Sequence, residues 1–372
     1  MNLNILIIED EDAIQEMWKE SIEMYHVDEN PVFNIIPTYC NTLSLAKKLL
    51  SNSVYDAAVI DIRLKNEDGT PNNENDDGNE IFDYLTKSSL SITAIYTGEP
   101  GIADDRNIQK NISQIFTKGD GAIQKILSWI DNKKSLISSM KDIKYSFDRE
   151  MAKCFSRSIW PRWEYWLDKN VTEINIDSAL KRHMATHLHA TFLNENNNKV
   201  HPEEYYFIPP LRESLDTGDI IYDGESYEIL ITPRCDIAQN KTDTYQFVKL
   251  VDKSKEWKDL EDKISEARGT DNLSKLGKAV QNMSKFTNHD SKLSTHFIQK
   301  IRFINVKGDV IEAGPFVASF SNLRSAPKTI CSEKMFIAKR VASLSNEFVP
   351  SLVERLGGYF SRIGSPDYSH PQ

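Results

Sequence analysis

Residues 5–12 read Ile5-Leu6-Ile7-Ile8-Glu9-Asp10-Glu11-Asp12, an apolar run of strand length that ends in four acids. The same construction recurs three times downstream. Ala57-Ala58-Val59-Ile60 ends in Asp61, Thr93-Ala94-Ile95-Tyr96 ends in Thr97, and Ile115-Phe116-Thr117 ends in Lys118. In an open parallel sheet the carboxyl ends of the strands lie side by side, and ligands bind outside them. A single polar residue after a strand is ordinarily just solvated. Four in this order bring three acids, a hydroxyl and an amine to one edge. Strand-like runs at 4–8, 33–37, 57–61, 91–96 and 114–117 alternate with amphipathic segments at 13–25, 43–50, 78–87 and 122–131. That alternation predicts an α/β fold, a five-stranded doubly wound parallel sheet covered on both faces.

The residue types at that edge suit one chemistry. An aspartate carboxylate is a nucleophile toward a phosphoryl group and forms an acyl phosphate. Such transfer needs positioning and neutralisation of charge on the equatorial oxygens. Mg²⁺ takes oxygen ligands and keeps several waters, so Glu9, Asp10 and Asp61 suit it, with the Arg63 carbonyl as a further ligand. Lys118 would pair with one phosphoryl oxygen and the Thr97 hydroxyl would donate to another. The clustered carboxylates repel one another unless a cation joins them.

These segments resemble the receiver domain of two-component response regulators. The matching stretches are Ile5–Asp12, Tyr55–Leu64 (YDAAVIDIRL), Asp77-Gly78-Asn79-Glu80-Ile81, Tyr96-Thr97-Gly98 and Phe116-Thr117-Lys118. The resemblance covers residues 1–133 and implies a flavodoxin-like sheet. It implies Asp61 as phosphoacceptor, Glu9 and Asp10 as metal acids, Thr97 as the switch hydroxyl and Lys118 as the invariant lysine. It implies Mg²⁺ as cofactor and a histidine kinase or phosphotransfer protein as partner, with a homodimer as an expected assembly. Three features depart from the family. The segment Lys65–Asp76 (KNEDGTPNNEND) is longer than usual and is expected to form a mobile flap beside the site. Gly119 stands where the family has proline. The aromatic is Phe116, whereas the switch position is Ile115. The resemblance therefore implies an intact phosphorylation site without the usual aromatic readout.

Charge divides the chain in the same place. Of 45 basic and 55 acidic residues, residues 1–134 hold 12 and 23, leaving 33 and 32 for the remainder. An acidic first part and a neutral second part do not support a nucleic-acid partner, which wants a concentrated basic face. No apolar run reaches the roughly 18 residues of a membrane span. The start Met1-Asn2-Leu3-Asn4 lacks the features of a signal peptide. Cys40, Cys154, Cys235 and Cys331 are scattered without a CxxC pair, which points to reduced thiols and a cytoplasmic protein.

Beyond the receiver segment, Leu136, Ile137, Met140, Ile143 and Phe147 recur at helical spacing, so 134–170 is expected to be a helical connector. It would either relay the receiver's state or simply pack on the effector domain. It ends in Trp160-Pro161-Arg162-Trp163-Glu164-Tyr165-Trp166, expected to seal a core between domains. Residues 171–372 are expected to form an α+β effector domain. A helix at 178–193 carries His183 and His187 at the i, i+4 spacing of a metal pair but lacks further ligands, so ordinary histidines are the simpler reading. Thr217–Ile237 contains two β-branched runs joined by Asp223-Gly224, a hairpin. Gly218–Ile221 and Ile229–Thr232 resemble the opening of small SH3-like barrels, including those of ribonuclease toxins. Cys235 beside Arg234, with Asp236 and Asp219, forms the effector's candidate site. The simpler reading there is a buried cysteine at a strand end. Residues 257–286 read as a charged, solvated helical insert, 297–306 and 309–320 as strands, 346–360 as a closing helix, and Arg362–Tyr368 as a turn-rich end that docks back.

Neither a recognition helix with a basic face nor a cyclic-dinucleotide or Walker-A motif is apparent. Three readings remain open: an atypical response regulator signalling through protein contacts, a phosphorylation-gated effector enzyme such as an antiviral nuclease, or a pseudo-receiver scaffold. In the first, the receiver would catalyse only its own phosphorylation and dephosphorylation.

Overall fold

A computed structural model describes residues 1–28, 30–66, 70, 77–103, 112–167, 175–193, 200–270, 272–288, 294–305 and 309–361. Most of the expected flap, the segment 104–111 and the tail beyond Ser361 lie outside these residues. The chain divides into two compact units, Met1–Asn197 and Asn198–Gln372.

The first unit begins with β1 (Asn2–Ile8), α1 (Asp12–Val27), β2 (Asn34–Cys40), α2 (Leu43–Asn52), β3 (Ala57–Ile60) and α3 (Asp77–Ser88). β4 (Ile92–Thr97), β5 (Ser113–Thr117) and α4 (Ala122–Asn132) come next. The sheet order is β2-β1-β3-β4-β5, and every pairing is parallel. Both faces are buried, which explains why the strands read as continuous apolar runs. Leu3, Ile5 and Ile7 pack with Trp18, Ile22 and Ile126 from α1 and α4. Leu6 and Ile8, pointing the other way, pack with Ala46, Ile81, Phe82 and Leu85 from α2 and α3. Each such fully buried Leu, Ile or Phe is worth about 1.5–3 kcal/mol.

The single residue Lys133 separates α4 from α5 (Lys134–Cys154). Ile137 is fully buried in the α1/α4 core, with Leu136 and Met140 packed against it. Lys141 Nζ lies 2.8 Å from Asp56 Oδ2, just ahead of β3. The apolar periodicity of this segment thus forms a helix whose first turns dock on the sheet. A π-helical turn, Phe155–Ile159, leads to α6 (Trp163–Trp166). Phe155, Trp160 and Trp163 stack on one another, yet Trp160 is 61% exposed and Tyr165 78%. α7 (Ile176–Leu193), expected within the effector domain, belongs to the first unit. Phe147 of α5 meets Phe192 at 4.9 Å.

The second unit holds β6 (Tyr206–Phe207), β7 (Asp219–Tyr222), β8 (Tyr227–Leu230), α8 (Arg234–Ala238) and β9 (Thr244–Asp252). Then come α9 (Ser254–Gly269), α10 (Leu273–Thr287), β10 (Thr295–Ile298), β11 (Ile301–Ile304), β12 (Val310–Ala313) and β13 (Phe316–Pro327). α11 (Lys328–Cys331), α12 (Lys334–Ile337), β14 (Arg340–Leu344) and α13 (Val349–Phe360) complete it. Seven strands form one antiparallel sheet in the order β10-β13-β9-β8-β7-β14-β6, and β11 pairs with β12 alone. The expected hairpin is β7–β8. Asp223 closes its turn by accepting from the Glu225 and Ser226 amides, and Gly224 takes φ +106°, which favours glycine. This hairpin lies inside the larger sheet. The end strands β10 and β6 are not paired to each other among the described residues, so no closed small barrel is formed. Both faces are covered: Ile220, Ile229 and Val248 join the α13 side, while Ile221, Leu230 and Phe247 join Cys331 and Phe336. The strand expected at 309–320 is broken at Gly314-Pro315, since proline brings no amide donor to a ladder.

Candidate functional site

Reversal of strand order between β1 and β3 opens a crevice at their carboxyl ends, where ligands of doubly wound sheets bind. Glu9 and Asp10 follow β1, and Asp61 follows β3. One carboxylate oxygen from each of Glu9, Asp10 and Asp61 lies within 4.8 Å of the others. Thr97 ends β4 and Lys118 follows β5, so the five expected residues meet.

Lys118 Nζ is the hub. It donates to Asp61 Oδ2 at 2.7 Å and to Glu9 Oε1 at 3.0 Å, with Glu11 at 3.7 Å. It also lies 5.6 Å from the centre of the Tyr96 ring. Asp61 Oδ1 accepts from the Ile62 amide at 2.7 Å, which fixes the carboxylate plane. Thr97 is buried, and its Oγ1 accepts from the Glu99 amide at 3.2 Å. Burial pushes the Glu9 carboxyl up to about 7, with Asp61 adding repulsion and Lys118 opposing both. Burial also raises Asp10, helped by Asp61 and offset by Lys65. Burial alone would lower the Lys118 amine, but Glu9 and Asp61 hold it above its ordinary value.

This donor set suits a small hard cation. Three carboxylates converge, and Glu9 Oε2 is buried without a hydrogen bond, although it lies 2.9 Å from Lys118 Nζ. An oxygen-only ligand set matches Mg²⁺ better than a thiol- or imidazole-seeking metal.

Gly78 explains why Asp-Gly opens α3. A Cβ there would lie 2.1 Å from the Asp61 carbonyl oxygen and 2.6 Å from Ile62 Cα, so only glycine lets the helix approach the strand that carries Asp61. Gly119 has φ +157°, a value closed to proline, whose ring holds φ near −65°. Phe116 meets Trp129 at 5.8 Å on the α1/α4 face, whereas Ile115 packs on the opposite face.

Two basic side chains escaped the sequence reading. Lys65 Nζ donates to the Asp10 carbonyl, and the Arg63 guanidinium forms a two-point ion pair with Glu99 at 2.7 and 3.2 Å. Arg63 and Lys65 alternate with buried Ile62 and Leu64, an in-out pattern that puts both bases on the open side.

In the second unit the effector candidates do not converge. Asp219 is fully buried, held by the Asp216 amide, Ser343 and Arg340. Burial raises its carboxyl, while Ser343, the Asp216 amide and Arg340 act against this. Cys235 is exposed rather than buried, and among the described residues its side-chain partner is Asp236 at 3.6 Å. Arg234, expected to activate that thiol, donates to Asp216 at 2.9 Å. His183 bonds Ser158 at 3.2 Å, and the only three-ligand acidic, histidine or cysteine group among the described residues is Glu9, Asp10 and Asp61.

The sheet order β2-β1-β3-β4-β5, with its acids at the switch point, is the flavodoxin-like one. The first third of the chain has that fold. No protein-family model matches the chain, and no curated protein matches it. Among solved structures, it is similar to a CheY-like receiver domain from Methylobacillus flagellatus, at 20% identity and TM-score 0.24, over 34% of this chain and 98% of that one. A CheY-like receiver domain from Methanospirillum hungatei JF-1 matches at 15% identity and TM-score 0.29, over 37% and 98%. The signal receiver domain of a putative Luxo repressor protein from Vibrio parahaemolyticus matches at 14% identity and TM-score 0.29, over 38% and 98%. No helix among the described residues is long and apolar enough to cross a membrane.

Proposed function

We propose that the chain is an atypical response regulator, whose receiver takes a phosphoryl group on Asp61 and passes the change to the second unit through protein contacts. The observation that carries this reading is Lys118 Nζ at 2.7 Å from Asp61 Oδ2 beside the Glu9–Asp10–Asp61 cluster. An Asp61 oxygen attacks the phosphorus of a phosphohistidine or small acyl phosphate. The new O–P bond forms as the bond to the leaving group breaks, and water later hydrolyses the acyl phosphate. Lys118, now paired to the carboxylate, follows the negative charge onto a phosphoryl oxygen. The Thr97 hydroxyl turns from the Glu99 amide to donate to another. Ile62 N–H orients the nucleophile. Glu9, Asp10 and Asp61, with the Arg63 carbonyl as a further ligand, would hold Mg²⁺, which would supply charge neutralisation to the transferring group. Reorientation of Thr97 biases the β4–β5 region, and α4 and α5 carry that bias onward.

Intact mass after incubation with acetyl phosphate and Mg²⁺ tests this reading. Wild type should gain one phosphoryl group and Asp61→Asn none. Label on Asp61→Asn, or none on wild type while a control receiver labels, overturns it.

A further inference from the structure

A second concavity opens at the amino-terminal edge of the parallel sheet, the end opposite Asp61. Its volume is about 590 Å³, within the range of small-molecule sites. Leu50 and Val54 line it from α2 and the following loop, Tyr84 and Leu90 from α3 and the following loop, and Ile143 and Phe147 from α5. These walls are not finished core: Val54 is 64% exposed, Leu90 49% and Ile143 48%. Lys144 completes the lining, and its Nζ is buried with no hydrogen-bond partner among the described residues. The nearby acid is already engaged. Asp56 Oδ2 pairs with Lys141 at 2.8 Å and accepts the Asn4 amide at 2.9 Å, and Lys141 also donates to the Asn2 carbonyl. Asp148, the one acid in the lining, is exposed at the rim.

A buried amine without a partner is costly, and an anion is what relieves it. Apolar walls around it add a demand for a hydrophobic body. We propose that this cavity binds a small amphiphilic anion, an aliphatic or aromatic body with one carboxylate or sulfonate head. The body fills the space between Tyr84 and Leu90 on one side and Ile143 and Phe147 on the other. The head meets Lys144, whose flexible four-carbon stem lets the amine swing to it. Because α5 supplies one wall, the ligand is clasped between the sheet's edge and the helix leaving the receiver.

Two dyes with the same ring system test this on the full chain: anilinonaphthalene sulfonate, and phenylnaphthylamine, which lacks the sulfonate. Wild type should bind the sulfonate saturably with one site by fluorescence. Lys144→Met should weaken the sulfonate about tenfold and the neutral dye less than about twofold, since a charge-assisted contact is worth about that ratio. Leu90→Asp, and separately Val54→Asp, should weaken both dyes about tenfold by putting a charge in the apolar wall. Absence of saturable binding, an unchanged sulfonate affinity in Lys144→Met, or unchanged affinities in both aspartate variants would overturn the proposal.

Discussion

The two units each bury a carboxylate cluster, and the clusters are balanced in opposite ways. In the first unit Glu9, Asp10 and Asp61 face Lys118, with Lys65 bound to a backbone carbonyl, and Glu9 keeps an oxygen without a hydrogen bond. In the second, Asp216 and Asp219 are met by three guanidinium groups. Arg212 and Arg234 lie 3.3 and 2.9 Å from Asp216, and Arg340 lies 3.3 Å from Asp219. Excess negative charge held open at a strand edge is a demand for a cation. A carboxylate whose every neighbour is a donor has its demand already met inside the fold. Burial of an acid alone therefore does not mark a functional site; the deficit of partners does.

The comparison breaks most visibly at Lys118. Lys118→Ala should slow uptake from acetyl phosphate about a hundredfold, the usual loss for one donor to a developing anion, while leaving the second unit's melting unchanged. The reverse holds across the molecule. Arg340→Met leaves Asp219 buried without its cation and should lower the second unit's stability by about 3–5 kcal/mol in urea unfolding. Phosphoryl uptake by that variant should match wild type. Equal loss of uptake in both variants would mean that the two clusters are not separable in function.

Smaller effects sharpen the picture. Gly78→Ala forces a methyl group against the Asp61 carbonyl and should cost the first unit about 1–3 kcal/mol, with slower uptake. The smallest effect concerns Lys144, whose amine burial holds below the ordinary 10.5, with Asp56 opposing. The unfolded chain then retains this proton at pH values where the folded chain releases it. Stability of the first unit should therefore rise as pH climbs toward 10.5, and the penalty is fully present below the folded-state pKa. Lys144→Met should show a shallower rise in melting temperature as pH climbs toward 10.5 in thermal scans.

The parallel sheet was legible because its central strands β1, β3 and β4 bury both faces, and these and β5 end in residues whose chemistry differs from their runs. Glu9, Asp10, Asp61, Thr97 and Lys118 could be placed together from strand order alone. Lys65 and Arg63 were missed because a base beside an acidic motif looks like solvated surface until its partner is known. The second unit resisted for a different reason. Asp219 takes its partners from Arg340 and Ser343, 121 and 124 residues away, and nothing local announces them. The place of α7 in the first unit was equally hidden, because its packing on α5 rests on an aromatic pair, Phe147 and Phe192, across a long separation.

The near-continuity of α4 into α5 has a mechanical consequence. From Ile137, anchored in the receiver core, to Cys154 the helix runs without glycine or proline for roughly 25 Å at 1.5 Å per residue. A rod of that length pivoting at its base multiplies angle into distance: about five degrees of tilt at Ile137 carries its far end roughly 2 Å. A tilt at Ile137 would therefore displace Phe155 and the stacked indoles farther than it displaces the helix base.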